Sequence, residues 1–256
     1  MSGQIDYQVA DGVAQIGINR PEKKNALTPA MYAGLVEAFE QAEADKAVRV
    51  ALVHGTNECF TAGNDLQDFM NAPPKDDSSP VIRFLKTIHA ARKPIVAAVA
   101  GPAVGIGTTL LLHCDLIYAD PKARLQLPFV NLGLCPEAGS SFLLPQILGH
   151  PRAAELLLFG DPFSAADALE FGLINGITPE GQVIATALEK AKVLAARPMA
   201  SLLVTKELLK KAHFRLVSQT IDEELALFGA RLKSPEAAEA FRAFFERRKP
   251  DFSKFA

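Results

Sequence analysis

The stretch PIVAAVAGPAVGIGTTLLL, residues 94–112, places the tightest constraint on what this chain can fold into. Residues 94–101 offer no polar position, so the alternation of a half-exposed strand is missing. A strand of that composition is buried on both faces, as strands of parallel sheets are. Such a sheet needs helical layers on either side, and the glycines and leucines that follow lead from the strand into a helix. The run is too short for a bilayer, which takes about 20 apolar residues.

The rest of the N-terminal half keeps up the alternation of strand and helix. IDYQV and VAQIGI flank Asp11-Gly12, a pair suited to a hairpin turn. Thr28 and Pro29 stand as N-cap and first helical residue, and Met31, Leu35, Ala38, Phe39 and Ala42 recur behind them at helical spacing. VRVALVH, residues 48–54, reads as a short strand. Phe69 to Pro80 combines prolines, charges and serines and is expected as a solvated loop bordering a site. Short strands in DLIYA and ARLQL follow, and the sheet is expected to end near residue 130. Past Ser140 the pattern is helical. Ser164 and Asp167 are spaced as a capping box, Gly172 stops that helix, and amphipathic stretches follow at about 182–196, 199–212, 217–233 and 235–248.

With 256 residues, 49% of them hydrophobic and 22% charged, the chain has an ordinary globular composition and length enough for a substantial core. A net charge of -2 gives no basic field for a phosphate backbone, so nucleic acid is not expected as the main partner. MSGQIDYQVADG lacks the features of a secretory or transit signal, SKFA does not match the peroxisomal tripeptide, and no segment reads as a membrane span. The expectation is a cytoplasmic protein without membrane contact. Cys59, Cys114 and Cys135 lack metal spacing and read as reduced thiols; the five histidines show no HExxH pair, so no metal site is expected. His113 reads as a core or interface histidine.

Two glycine-bearing segments share a further property. CFTAGNDL follows a strand and turns where Ala62, Gly63 and Asn64 can present N–H groups outward. AGPAVGIGTTLLL opens a helix whose positive end carries the amides of Gly105, Ile106 and Gly107. Either one alone is equally well a tight strand-to-helix connection. Together they can form an oxyanion hole, two backbone donors from separate segments on one oxygen, each worth roughly 3 to 4 kcal/mol of barrier. GPAVGIG lacks GxGxxG spacing, no GK[ST] follows it and the chain has no GxSxG elbow, so the loops suit a carbonyl oxygen better than a pyrophosphate.

A third segment, NLGLCPEAGSSFLLP, sets one carboxyl, Glu137, among leucines, prolines and small residues. On local pattern it is an acid favouring a helix start. Buried, it has its pKa raised from about 4.3 toward neutrality, which suits a proton carrier and requires the carboxyl to face a cavity.

NRPEKKNAL, FTAGNDL, PIVAAVAGPAVGIGTTLLLHCDLIYA, NLGLCPEAGSS and SAADALEFGLI occur in the order of the crotonase, or enoyl-CoA hydratase/isomerase, superfamily, and the resemblance spans most of residues 5–180. It implies an α/β fold with a crotonase-like core of ββα units in a spiral, here residues 1–195, and a C-terminal helical subdomain, 196–256, that serves oligomerisation and as a lid. It implies an acyl-CoA substrate, coenzyme A being part of the substrate and no separate cofactor being needed, and a homotrimer or dimer of trimers. By matching positions, the resemblance puts the amides of Ala62 and Ile106 at the thioester oxygen and Lys24, Ala26 and Leu27 along the CoA channel. Gly63, Asn64, Asp65, Leu66 and Gly105 then belong to the substrate-binding loops.

The acids depart from the hydratase pattern. Where hydratases of this superfamily carry two glutamates, this chain has Thr109 and Phe129. Hydration needs one group to activate water and another to protonate carbon. Glu137 instead falls where the Δ3,Δ2-enoyl-CoA isomerases of the superfamily carry their catalytic glutamate. The resemblance therefore implies isomerisation of a 3-enoyl-CoA through a dienolate, in fatty acid oxidation, with Glu137 moving the proton. Another crotonase reaction on an acyl-CoA, such as hydration, and a non-catalytic acyl-CoA binder are the alternatives. In the C-terminal FRAFFERRKPDFSKFA, Phe241, Phe244 and Phe245 read as a core or subunit contact; the other reading takes its basic residues to CoA phosphates or a neighbouring subunit's site.

Overall fold

In the computed structural model, which describes residues 4–71, 74 and 76–255, β1 (Ile5–Ala10) and β2 (Val13–Ile18) pair antiparallel around the Asp11-Gly12 turn. α1 (Pro29–Ala44) begins where the N-cap signal puts it: Thr28 Oγ1 accepts the Met31 N–H at 3.2 Å. β3 (Val50–His54), α2 (Leu66–Asn71), α3 (Pro80–Ala90) and β4 (Ile95–Val99) follow. The chain then forms β5 (Pro102–Val104), α4 (Ile106–Thr109), β6 (Leu116–Ala119) and β7 (Arg124–Gln126). Beyond these come α5 (Ser140–Leu148), α6 (His150–Phe159), β8 (Phe163–Ser164), α7 (Ala165–Glu170) and β9 (Gly176–Ile177). Four helices end the chain: α8 (Val183–Ala195), α9 (Met199–Lys211), α10 (Phe214–Arg231) and α11 (Pro235–Phe245).

The main sheet has the order β1-β2-β3-β4-β6-β9 and is parallel from β2 onward; a smaller sheet runs β5-β7-β8. Side-chain alternation sends each strand into two cores. Val50, Leu52, Val96 and Ala98 pack with Val183, Ala187 and Ala191 of α8. Ala51, Val53, Ala97 and Val99 face the opposite way, into the larger core with Leu35 and Phe39 of α1 and Phe84 of α3. Both faces are buried, as the unbroken apolar composition of β4 requires.

Two sequence expectations need correction. The segment from Phe69 to Pro80 is not a loop from its start: α2 runs through Phe69, Met70 and Asn71, and Phe69 is buried, because its ring packs edge-on against Phe228 at 6.0 Å. Residues 72, 73 and 75 of that segment lie outside the described residues. The sheets also do not end near residue 130, since β8 and β9 join their edges. Two-residue strands are too short to show a period of two. The Ser164 and Asp167 capping box forms as the spacing predicts.

Candidate active site

The loops after β3 and β5 leave the carboxyl ends of parallel strands, where α/β sheets present ligand sites. They run side by side: Thr61 N–H donates to Pro102 O at 3.0 Å and Val104 N–H to Thr61 O at 3.0 Å. Gly63 has φ +88, and a Cβ there would stand 2.7 Å from Val104 O, so the approach admits only glycine. Asn25 ties the NRPEKKNAL segment to the first loop. Fully buried, its side-chain amide donates to Cys59 O at 2.8 Å and Phe60 O at 3.1 Å, while its Oδ1 accepts Arg20 N–H at 2.7 Å. Sequence reasoning missed Asn25, whose only signal is an Asn in a turn.

Asp65 serves this scaffold. It pairs with Arg20 Nη1 at 2.8 Å and accepts the N–H groups of Gln67 and Asp68 at the start of α2. Partial burial pushes its carboxyl up, but Arg20 and these donors outweigh burial and hold it below the usual range.

The amides require a correction. Ala62 N–H donates to Lys24 O at 2.9 Å and is not available to a ligand. The reason lies in the parallel bridge between Leu27 and Asn64. Leu27 N–H donates to Gly63 O at 2.8 Å and Leu27 O accepts Asp65 N–H at 2.9 Å, so the residue between them turns its own N–H away. Asn64 N–H has no acceptor among the described residues. On the second loop Gly105 N–H donates to Gln126 O at 2.9 Å, whereas Ile106 N–H, first in α4, has no acceptor there either. Asn64 and Ile106 thus each offer a free amide among the described residues, one on each loop.

Both line a cleft of about 530 Å³, together with Lys24, Ala26, Ala62, Gly63, Asp65, Leu66 and Gly105 of the sequence-derived site. Leu27 does not: it is 2% exposed and borders a separate cavity of about 140 Å³ with Tyr32 and Phe69. The cleft has an aromatic side that the sequence did not reveal as site, formed by Phe69, Phe129, Phe228, Phe244 and Phe245. Phe129 meets Phe228 edge-on at 6.5 Å. Phe241 is buried, whereas Phe244 and Phe245 are more than a third exposed. Of the basic C-terminal residues, Arg248 is engaged within the chain, on Glu239 and Glu246. Lys23 and Lys24 are exposed on the cleft and pair with no carboxylate among the described residues.

Glu137 is 7% exposed. The Thr109 hydroxyl donates to its Oε1. Burial raises its pKa to about 8, against the lowering effect of the Thr109 hydrogen bond and with the nearby Glu224 charge adding to the rise. Tyr32 stands close enough for Glu137 to help raise its phenol, which burial already pushes well up; its hydroxyl donates to Asn64 Oδ1 at 2.5 Å. Glu137 does not itself line the cleft, contrary to the expectation that its carboxyl faces a cavity. The cleft reaches Ile106, one helical turn from Thr109.

No group of three or more metal-ligating side chains occurs among the described residues, and no helix among them is long and apolar enough to cross a membrane. His113 is buried and burial lowers its pKa to about 3; its Nε2–H donates to Ala138 O at 2.8 Å.

Comparison with known proteins gives consistent relatives. The profile of the family described as Enoyl-CoA hydratase/isomerase matches residues 8–254. Enoyl-CoA delta isomerase 2 of Rattus norvegicus is 35% identical over 243 residues, which cover 93% of this chain and 62% of that protein, so the chain spans less than two thirds of that relative's length. The 2,3-dehydroadipyl-CoA hydratase of Escherichia coli (strain K12) is 30% identical, with 94% of each chain covered. Among solved structures, Pseudomonas aeruginosa OdaA superposes with a TM-score of 0.94 at 46% identity, covering 96% of this chain and 100% of that one.

Proposed function

This chain belongs to the enoyl-CoA hydratase/isomerase family, and we propose that within it the protein is a Δ3,Δ2-enoyl-CoA isomerase. The Glu137 carboxylate removes a proton from carbon 2 of a 3-enoyl thioester, and the electron pair spreads over the dienolate to the thioester oxygen. Asn64 and Ile106 N–H receive that oxygen, at about 3 to 4 kcal/mol of barrier each. Protonated Glu137 then returns the proton to carbon 4, giving the 2-trans product. Coenzyme A enters as part of the substrate, with Lys23 and Lys24 at the cleft to meet its anionic groups.

One observation carries this reading: the buried carboxyl of Glu137, with its pKa raised to about 8, is held by Thr109, one turn beyond the Ile106 amide. A shuttle that takes and returns a proton near neutrality needs a pKa of that order. Thr109 and Phe129 stand where hydration needs its acids, which argues against a hydratase. The position of Glu137 off the cleft favours a second reading, a non-catalytic acyl-CoA binder, and turnover on the first reading requires the acyl group to open a path to the carboxyl.

The same reading makes residues 196–256 the oligomerisation and lid region of a homotrimer or dimer of trimers. It is supported by the exposure of Leu208 (65%), Leu209 (75%) and Leu227 (62%) on α9 and α10. We place the reaction in cytoplasmic fatty acid β-oxidation.

The discriminating experiment offers the purified protein a 3-enoyl-CoA and, separately, a 2-enoyl-CoA. Conjugated 2-enoyl-CoA forming from the first, with negligible hydration of the second, is expected. Hydration as the faster reaction overturns the assignment, and thioester binding without turnover of either leaves the binder.

A further inference from the structure

The loop that carries Glu137 has no side-chain cap of its own. Ala138 and Gly139 are both left-handed, with φ 62 and 72. A Cβ on Gly139 would stand 3.0 Å from Val217 Cγ1 and 3.4 Å from Ile221 Cγ1, so α10 closes directly over the turn. α5 starts at the next residue with Gly139 as its N-cap, and no local side chain satisfies its free N–H groups.

The missing cap comes from α10. Glu224, 5% exposed, accepts Gly139 N–H on Oε2 at 2.6 Å and Ser141 N–H on Oε1 at 2.8 Å. Val217, Ile221 and Glu224 follow at helical spacing and form one face of α10. We infer that Glu224 is a positioning residue for Glu137: reaching across from α10, its carboxylate fixes the two left-handed residues that aim the Glu137 side chain. The inference rests on the reading of Glu137 as the proton carrier.

The turn closes on Glu137 itself, because Ser140 N–H donates to Glu137 O at 3.1 Å. It is held from the other side by His113, which follows α4 and donates to Ala138 O. The grip of Glu224 is the stronger of the two. It pairs an anion with two N–H donors at the positive end of a helix, whereas His113 makes one bond between neutral groups.

Charge enters as well as shape. The titratable groups that meet Glu137 are Tyr32 on α1, Cys135 on its own segment and Glu224 on α10. Those that meet Glu224 are Glu137 and Cys135, with Arg231 also acting on Cys135 and donating to Gly133 O at 3.0 Å. His113 stays neutral. Burial pushes the Glu224 carboxyl up, and the Ser141 and Gly139 donors hold it down. Its negative charge in turn raises Glu137.

The test compares wild type, E224Q and E137Q in kcat and KM for a 3-enoyl-CoA across pH, with thermal unfolding of each. Gln keeps the size of Glu and preserves the fold, but turns an NH2 group toward one of the two donors. Expected for E224Q is a kcat lower by about tenfold or more, with KM within about twofold. The acidic limb of its pH profile moves to lower pH, because a like charge beside Glu137 is gone. Folded E224Q with wild-type kcat and an unmoved limb, beside an inactive E137Q, overturns the inference and leaves the function standing. A fall in kcat with the limb unmoved marks a merely structural residue and also overturns it. Full activity in E137Q removes the function assigned to Glu137, and this inference with it.

Discussion

The hydroxyl of Thr109 donates a hydrogen bond to a carboxyl oxygen of Glu137, joining the helical turn that begins with the free Ile106 amide to the loop that carries the acid. On the proposed reading, one side chain thereby sets the oxyanion donor and the base in register.

Replacing Thr109 by Val removes a donor that favours the ionised acid, so the pKa of Glu137 rises further above about 8. The acidic limb of the kcat/KM profile moves to higher pH, and the rate at pH 7 falls by about three- to tenfold. A pH-rate profile of Thr109→Val measures both; an unmoved limb disconnects Thr109 from the acid.

Stability carries the same signature. The carboxyl titrates near 4.5 when unfolded and about 8 when folded, so the folded state binds the proton more tightly. The stabilisation this gives is fully present below about 4.5 and is lost as pH rises through about 8. Glu137→Gln does not titrate. Its stability relative to wild type therefore increases by about 1.4 kcal/mol per pH unit within that window and levels off above it. Urea unfolding at several pH values reads the slope; a pH-independent difference between the two proteins refutes the raised pKa.

Asn25→Ala tests the fastener of the first loop. It removes two buried donors and one acceptor at a residue with φ 55, which Ala tolerates poorly. A loss of about 2 to 4 kcal/mol in urea unfolding is expected, with a raised KM for the thioester. A loss within about 0.5 kcal/mol, the range of ordinary surface substitutions, contradicts it.

Gly63→Ala puts a Cβ 2.7 Å from Val104 O and forces apart the loop and β5, displacing the Asn64 amide. The expected result is a kcat down by about a hundredfold. Wild-type kcat in a folded Gly63→Ala means the Asn64 amide is not a donor to the reacting oxygen.

Much of this was legible in the sequence, and the failures have physical causes. The two glycine loops carry local turn signals and Glu137 is conspicuous as a carboxyl among leucines, but local pattern alone reads it as a helix-start acid, and the role assigned to it comes from the resemblance. Which amide of FTAGNDL faces the cleft was not legible, since the choice of Asn64 over Ala62 is made by a bridge to Leu27, distant in sequence. Phe228, Phe244 and Phe245 reach the cleft only through the docking of α10 and α11. Glu224 is one of several acids in the helical pattern DEEL, and nothing local sets it apart from a solvated one. The short strands β8 and β9 lacked the length to show a period.

The most direct measurement follows conjugated 2-enoyl-CoA forming from a 3-enoyl-CoA with wild type and Glu137→Gln side by side at pH 8, thioester binding being checked in both. The account predicts turnover by wild type, thioester binding by both, and a kcat for Glu137→Gln reduced by at least about 10²- to 10⁴-fold. Equal turnover by the two proteins contradicts it.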